Sequence, residues 1–192
     1  MAYGYIQVAH GTYQSWRTDT IGEAFDVDGS YGCQCWDYAS LFWWNVGFPS
    51  SPLYPKTGPQ GYASEVWTVS RFQNVAYNGT TYFRLINNLM EVKEGDVIVF
   101  SGIPGHIAFA DEDYTPGAFF IRCVGQNQGG GTPQPGGGTT VSVNNLQTSG
   151  FLGAFRYIPW ETTPPTPTVQ SKPKQKHFPW VLYARKFRDG RR

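Results

Sequence analysis

The sequence predicts a domain that combines helix with β-strands, followed by a short tail. Two patterns predict this mixture. Apolar residues recur at helical spacing between Tyr38 and Val46. Short apolar runs bounded by turn residues, between residues 97 and 124, are typical of strands. The 23 glycines and 14 prolines among the 192 residues favour strands and loops over a bundle of helices.

The predicted helix begins at or near Cys35 and ends before Gly47, which forms a helix stop signal together with Pro49. The first turn of a helix has unpaired backbone N–H groups and the positive end of the helix dipole. A thiolate is stabilised there, so we expect a lowered pKa for Cys35 and a role as nucleophile. The Cys35 N–H and the Gln34 side chain are the predicted oxyanion donors. The alternative is a buried structural cysteine.

Three strands are predicted after this helix, at residues 97–100, 106–110 and 119–124, with a hairpin loop at 101–105. His106 opens the second of these strands on its small-residue face. We expect that face to approach the helix N-terminus, so that His106 serves as the general base for the cysteine. The alternative is a surface histidine or one that is satisfied in the core.

A catalytic histidine needs a partner that fixes its tautomer. Asn127 follows the third strand and is predicted to orient His106. The alternative partner is an acid. Asp111, Glu112 and Asp113 lie directly after the histidine strand, although we expect that segment to be a solvated turn.

Oxygen ligands with the spacing of an EF-hand loop lead into the predicted helix. They are Asp26, Asp28, Ser30, Gly32 and Asp37, at loop positions one, three, five, seven and twelve. Hard oxygen ligands suit calcium better than zinc. Two positions depart from the pattern, because position six is Tyr31 rather than glycine and position twelve is aspartate rather than glutamate. We predict a structural calcium site; the alternative is an acidic turn that caps the helix.

Several short motifs occur in order from residue 12 to residue 159. They are Asp-x-Asp-Gly, Gly-x-Gln-Cys-x-Asp, Gly-Asp-Val-Ile-Val-Phe, Gly-His-Ile-Ala, Gln-Asn and Phe-Leu-Gly-Ala-Phe-Arg-Tyr-Ile-Pro. In this order and with these gaps they resemble the cysteine, histidine-dependent amidohydrolase/peptidase (CHAP) family of phage lysins and bacterial cell-wall hydrolases.

The resemblance implies a papain-like α+β fold, in which N-terminal helices pack on an antiparallel sheet. It implies Cys35 as nucleophile, His106 as base, and an amide bond of peptidoglycan as the substrate of an amidase or endopeptidase. Some lysin members bind calcium at a segment similar to residues 26–37. Many members carry an acid two positions before the asparagine, where this chain has Gly125. The orienting role therefore falls on Asn127 or on an acid placed elsewhere.

Charge divides the chain into two parts. Residues 1–160 hold seven basic and twelve acidic side chains, a net charge of −5, and are predicted to be the catalytic domain. Residues 161–192 hold eight basic and two acidic side chains, a net charge of +6. They are predicted to be a Pro-rich linker and a basic, aromatic tail. Its aromatic residues favour docking onto another virion or tail protein over a disordered end, and we do not expect nucleic-acid binding from charge alone.

The three cysteines, Cys33, Cys35 and Cys123, are predicted to be free thiols because their number is odd and their spacing forms no framework. The first sixteen residues lack the pattern of a secretory signal peptide, and no apolar run is long enough to span a membrane. A glycine-rich loop at residues 129–138 is either a mobile lid or a tolerated surface insertion.

Taken together, these features predict a peptidoglycan hydrolase with a cysteine–histidine mechanism. We expect a phage lysin that is carried in the virion or acts on the wall from the host cytoplasm before lysis. The alternative is a structural phage tail component with a vestigial hydrolase domain, which the missing acid at Gly125 favours. A cellular hydrolase of small amides is a third interpretation, without a supporting motif.

Overall fold

The computed structural model describes residues 11–48 and 57–161, and within them it shows an α+β fold. Four α-helices are described: α1 (Tyr13–Thr20), α2 (Cys35–Asn45), α3 (Glu65–Thr68) and α4 (Ile158–Glu161). The strands are β1 (Ala76–Tyr77), β2 (Thr80–Thr81), β3 (Phe83–Ile86), β4 (Val97–Phe100), β5 (His106–Ala110), β6 (Phe120–Gly125), β7 (Ser142–Gln147) and β8 (Phe151–Tyr157). Short 3₁₀ turns lie at Arg71–Asn74, Leu89–Glu91 and Thr148–Gly150.

Six strands form one antiparallel sheet in the order β3-β8-β4-β5-β6-β7, and β1 pairs with β2 in a separate hairpin. The last strand, β8, inserts between β3 and β4. Strand β5 therefore lies inside the sheet, between β4 and β6. Its first residue, His106, pairs with Phe100 of β4, whereas β6 pairs with the other end of β5, at Phe109 and Ala110.

The two faces of this sheet carry different cores. On β5, Ile107 and Phe109 face a cluster that includes α1 and α2, whereas Ala108 and Ala110 face a second, smaller cluster. This alternation follows from the two-residue period of a strand. Because both faces are covered, the central strands are buried along their length.

Aromatic side chains fill the space between the helices and the sheet. Trp16 of α1 and Phe42 and Trp43 of α2 are each at most 1% exposed. Phe42 packs edge-to-face on Phe109 of β5, with ring centroids 5.1 Å apart. Full burial of such a side chain stabilises the fold by roughly 2 kcal/mol, so this layer fixes α2 firmly on the sheet.

The predicted elements are confirmed where the structure describes them. Helix α2 begins at Cys35 and is followed by Gly47 with a φ of 81°, a backbone conformation that favours glycine. Strands β4 and β5 have the predicted bounds, and β6 is shifted by one residue. Helix α1, which the sequence interpretation did not include, is capped by Thr12, whose side-chain oxygen accepts from the Ser15 N–H.

The predicted domain boundary at residue 160 falls inside α4. Glu161 pairs with Arg84 and Arg156, so it belongs to the folded part of the chain. The predicted linker and tail from residue 162 onward lie outside the described residues. Among the helices that the structure does describe, none is both long and apolar enough to cross a bilayer.

Candidate active site

The start of α2 is held by Asp37, which reaches back over the first turn. Its Oδ2 accepts from the Gln34 N–H (2.9 Å), and its Oδ1 accepts from the N–H groups of Val27 (2.8 Å) and Asp28 (3.2 Å). Burial raises the pKa of Asp37 to about 7, and the bond from Gln34 works in the opposite direction. Asp37 therefore ties the preceding loop to the helix and fixes the start of α2 at Cys35.

Cys35 is the first residue of α2 and is buried, with 9% of its surface exposed. Cys35 and Ile107 belong to the same buried cluster, so the start of α2 lies near the start of β5. Burial raises the pKa of the thiol to about 11, while the N–H groups of Ile107, Trp36 and Cys35 itself lower it. The expected lowering by the helix start is thus present but smaller than the effect of burial. The free cysteine is a neutral thiol that needs a base.

His106 is the first residue of β5 and directly precedes Ile107, which shares a buried cluster with Cys35. The expectation that its small-residue face approaches the helix is wrong, because α2 packs on the opposite face, against Phe109. The ring of His106 instead lies beside Phe100, with centroids 6.4 Å apart. Burial lowers the pKa of His106 below its ordinary 6.5, with an opposing contribution from Gln128. The ring is therefore neutral at neutral pH and able to accept a proton.

The side chain that contacts His106 belongs to Gln128. Its Oε1 lies 3.2 Å from His106 Nε2. The side chain of Asn127, the predicted partner, donates to Gln34 Oε1 (2.7 Å). Asn127 has a left-handed φ of 56°, which separates the directions of these two neighbouring amides. Asn127 thus contacts Gln34, the residue before Cys35, and Gln128 contacts His106.

Gln34 occupies the N-cap position, next to the nucleophile. Its Nε2 donates to the carbonyl of Tyr31 (2.7 Å), and its Oε1 accepts from Asn127. One hydrogen of the amide is therefore used within the loop, and the second is available to a bound ligand.

Gln126 is a further site residue that the sequence analysis missed. It is fully buried, and its Oε1 accepts from the Phe25 N–H (3.0 Å). Its Nε2 donates to the carbonyls of Phe25 (2.6 Å) and Gln34 (3.1 Å). The Gln126 amide thus ties the end of β6 to Phe25, directly before the acidic loop, and to Gln34, directly before Cys35. Its only sequence signal was its place in the Gln-Asn motif, directly before Asn127.

The acidic loop brings three of its predicted ligands together. Asp26, Asp28 and Asp37 each offer a carboxylate oxygen, and these three oxygens lie within 4.8 Å of one another. Asp26 Oδ1 is buried and has no hydrogen-bond partner among the described residues. Burial raises the pKa of Asp28. The hydrogen bond from the Ser30 N–H lowers it, and the charge of Asp26 adds a smaller increase. Clustered carboxylates with an unsatisfied oxygen fit a hard cation such as calcium.

The remaining positions of the loop are shaped by backbone conformation. Tyr31, at the position where glycine is usual, has a left-handed φ of 63° and is 87% exposed. Gly29 and Gly32 have φ values of 70° and 73°. Ser30 is exposed, and its N–H donates to Asp28 Oδ1 (2.8 Å). The chain therefore makes the expected turn with a tyrosine at position six.

The glycine-rich segment at residues 129–138 packs against this loop. The Cys33 N–H donates to the Gly137 carbonyl (3.0 Å), and Cys33 forms an isolated bridge with Gly138. A Cβ atom on Gly138 would lie 1.8 Å from the Cys33 carbonyl oxygen. The segment is closed on itself by a Pro133–Thr139 bridge. We call residues 129–140 the glycine hairpin. It is anchored to the segment from residue 26 to residue 34, which leads into Cys35 and which we call the nucleophile loop.

A cavity of about 280 Å³ opens next to the base. His106 and Gln128 form one wall, and the other lining residues are Phe100, Ser101, Leu146, Gln147, Ser149 and Gly150. Polar and apolar side chains both line it, as is usual for ligand-binding pockets.

Asp111 does not belong to this site. It is 2% exposed, so the interpretation of its segment as a solvated turn is wrong at this residue. Its carboxylate pairs with Arg17 and Arg122 and accepts from the Tyr13 hydroxyl. The carboxylate thus ties α1 to the end of β5. All three cysteines are free, as predicted, and all three are buried.

Comparison with known proteins finds similarity to a phage endopeptidase and to an endolysin structure. No family model matches the chain. Over 124 residues it is 34% identical to the D-alanyl-L-alanine endopeptidase of Streptococcus phage B30, covering 62% of this chain and 25% of that protein. The chain thus spans about a quarter of the length of this curated relative. The crystal structure of the wild-type endolysin LysIME-EF1 matches with a TM-score of 0.56 and 23% identity, over 78% of this chain and 64% of that one. This likeness shows the fold.

Proposed function

We propose that this chain is a peptidoglycan hydrolase that cleaves an amide bond by a cysteine–histidine mechanism, as a CHAP-type catalytic domain of a phage lysin. The observation that carries the proposal is the closeness of the starts of α2 and β5, which hold Cys35 and His106. Cys35 shares a buried cluster with Ile107, the residue after His106, and the Ile107 N–H lowers the pKa of the thiol. The phage endopeptidase relative supports peptidoglycan as the substrate class.

The protonation states fit general-base activation of a neutral thiol. With the pKa of Cys35 raised to about 11 and that of His106 lowered, the resting pair is uncharged at neutral pH. His106 takes the thiol proton as the sulfur attacks the amide carbonyl. The Cys35 N–H and the second hydrogen of the Gln34 amide stabilise the resulting oxyanion.

Collapse of the tetrahedral intermediate breaks the C–N bond. His106 returns the proton to the leaving amine, which departs and leaves a thioester on Cys35. Water then attacks the thioester carbonyl, with His106 again as base, and the acid product is released. The cavity beside His106 and Gln128 is the proposed place for the substrate chain next to the scissile bond.

Calcium is proposed as a structural ion of the acidic loop. Asp26, Asp28 and Asp37 would hold it, with Ser30 and the Gly32 carbonyl completing the set. The ion would compensate the charge of three close carboxylates and satisfy Asp26 Oδ1. Because Asp37 also caps the nucleophile helix, binding would stiffen the position of Cys35.

The proposed setting is a phage lysin that acts on the bacterial wall, in the virion or from the host cytoplasm. The tail, from residue 162 to residue 192, would contact other virion or tail proteins. A structural tail component with a vestigial hydrolase fold is the competing proposal, supported by glycine rather than an acid at position 125.

The test is hydrolysis of purified Gram-positive walls, with mass spectrometry of the released muropeptides to identify the bond. Cys35→Ser should abolish hydrolysis without unfolding the domain. Cys33→Ser and Cys123→Ser are matched controls, because both are buried thiols outside the proposed chemistry, and they should keep most of the activity. A Cys35→Ser protein with near-normal lysis would rule out the mechanism.

Calcium is tested separately by thermal unfolding and calorimetry. An ion that binds only the folded state raises the melting temperature. At a free calcium concentration of a hundred times the dissociation constant, the free energy of unfolding rises by about 2.7 kcal/mol. Asp28→Ala should remove this response. No binding at millimolar calcium would leave the loop as a helix cap alone.

A further inference from the structure

The side-chain amide of Gln128 can face only one way. Its Nε2 donates to the carbonyls of Cys123 (3.0 Å) and Ser142 (2.8 Å), which uses both of its hydrogens. Turning the amide by 180° would place Oε1 against two carbonyl oxygens and leave both without a donor. The oxygen of the amide is therefore the atom that faces His106.

This orientation decides which ring nitrogen of His106 carries the proton. An amide oxygen only accepts hydrogen bonds, so His106 Nε2, 3.2 Å away, must be the donor. A neutral imidazole has one N–H and one lone pair. With the hydrogen on Nε2, the lone pair is on Nδ1, and Nδ1 is the basic atom.

Gly125 leaves open the space that Gln128 occupies. A Cβ atom at position 125 would lie 2.4 Å from Gln128 Oε1 and 3.0 Å from its Cδ. It would also lie 3.0 Å from the Cβ of Ala108 on the neighbouring strand. The backbone of Gly125 is not in the left-handed region, so its conformation does not require glycine. Glycine is needed at position 125 because a side chain there would occupy the space of the Gln128 amide.

We propose that Gln128 is the positioning residue of the base, holding His106 as the Nε2–H tautomer from a place that Gly125 leaves free. An amide suits this place better than an acid, because a carboxylate has no hydrogens for the carbonyls of Cys123 and Ser142. The kinetic consequence rests on the proposed cysteine–histidine mechanism, whereas the tautomer is a property of the folded protein and is measurable without substrate.

The first experiment is NMR of the full chain with ¹⁵N-labelled histidine, at a pH where the ring is neutral. We expect a hydrogen-bonded proton with one-bond coupling to Nε2 of His106, and its loss in Gln128→Met, which keeps the volume but removes the amide. A proton on Nδ1 in the unmodified protein would overturn the proposal, even if the protein hydrolyses walls. An Nε2 proton in a protein without hydrolysis would support the positioning and reject the proposed function instead.

The second experiment is a mutant cycle read as kcat. Gln128→Met should lower kcat by about ten- to a hundred-fold. Gly125→Ala leaves Gln128 in the chain but pushes its oxygen away, so it should lower kcat and weaken the Nε2 proton signal. The double variant should be no worse than the more damaging single one, because both changes break the same contact.

Two results of the cycle would contradict the proposal. One is fully additive losses in the double variant, which would mean independent effects. The other is a Gly125→Ala protein with normal kcat and an unchanged His106 signal. Gln73→Ala, which removes an exposed amide in the 3₁₀ turn far from the site, is the matched control and should change neither readout.

Discussion

Two glycines of the glycine hairpin provide a matched pair for measuring how tightly it is anchored to the nucleophile loop. Gly136 and Gly138 have φ values of 94° and 72°, so alanine is strained at both, by roughly 1–2 kcal/mol. Their surroundings differ. The nearest atom to a Cβ on Gly136 lies 3.9 Å away, whereas a Cβ on Gly138 would lie 1.8 Å from the Cys33 carbonyl oxygen.

Gly138→Ala must therefore pull the hairpin away from Cys33. The Cys33 N–H then loses its bond to the Gly137 carbonyl, and a buried unsatisfied N–H costs about 1–3 kcal/mol. We expect Gly136→Ala to lower the free energy of unfolding by about 1–2 kcal/mol and Gly138→Ala by about 2 kcal/mol more. Wall hydrolysis should fall with Gly138→Ala and not with Gly136→Ala, because the displaced loop leads into Cys35.

Urea unfolding followed by tryptophan fluorescence measures both variants. The midpoint should change and the slope with urea should not, since the unfolded state is the same. Equal destabilisation of the two variants, within about 0.5 kcal/mol, would refute the anchoring. The segment would then be the mobile lid or surface insertion that its composition also allowed.

Four further predictions follow from the same contacts. Gln126→Ala leaves the N–H and carbonyl of Phe25 and the carbonyl of Gln34 without their Gln126 partner, so it should lower the free energy of unfolding by roughly 3 kcal/mol or more. An unchanged urea midpoint would contradict this set of bonds, which we call the Gln126 clamp. Because burial lowers the pKa of His106, the proposed base is neutral above pH 6.5, and kcat/KM should decline on the acid side only below that pH. A decline that begins above pH 6.5 would show that another group is the base. Tyr31→Gly should raise the free energy of unfolding by up to about 1 kcal/mol by relieving a left-handed backbone, whereas a loss would show that the tyrosine ring makes a stabilising contact. Deleting residues 162–192 should leave hydrolysis of solubilised wall fragments intact and weaken retention on particles or walls, and unfolding of the shortened protein would refute a separate anchoring tail.

Local patterns in the sequence predicted the elements that carry the nucleophile and the base. Helix α2 follows from apolar spacing and from Gly47, and the bounds of β4 and β5 follow from two apolar runs around a turn. These signals are contained within a dozen residues each. The acidic cluster was also predictable, because its ligands share one loop.

Contacts that depend on the packing of distant strands were not predictable in this way. Whether Asn127 or Gln128 turns toward His106 is decided by a left-handed φ at Asn127, which no composition rule specifies for two adjacent amides. Asp111 was assigned to solvent because its neighbours are charged, yet Arg17 from α1 covers it. The pKa of Cys35 was misjudged for the same reason, since the helix start is visible in sequence and the depth of burial is not.

The Gln126 clamp has a consequence for the order in which the protein becomes active during synthesis. The chain contains Cys35 early, but the amide that holds the preceding residue in place is added 92 positions after Gln34. A nascent polypeptide that has not yet reached Gln126 carries the thiol without its fixed surroundings. These hydrogen bonds need Gln126, which directly follows β6, so under the proposed mechanism a truncated translation product that ends before Gln126 should not hydrolyse the wall.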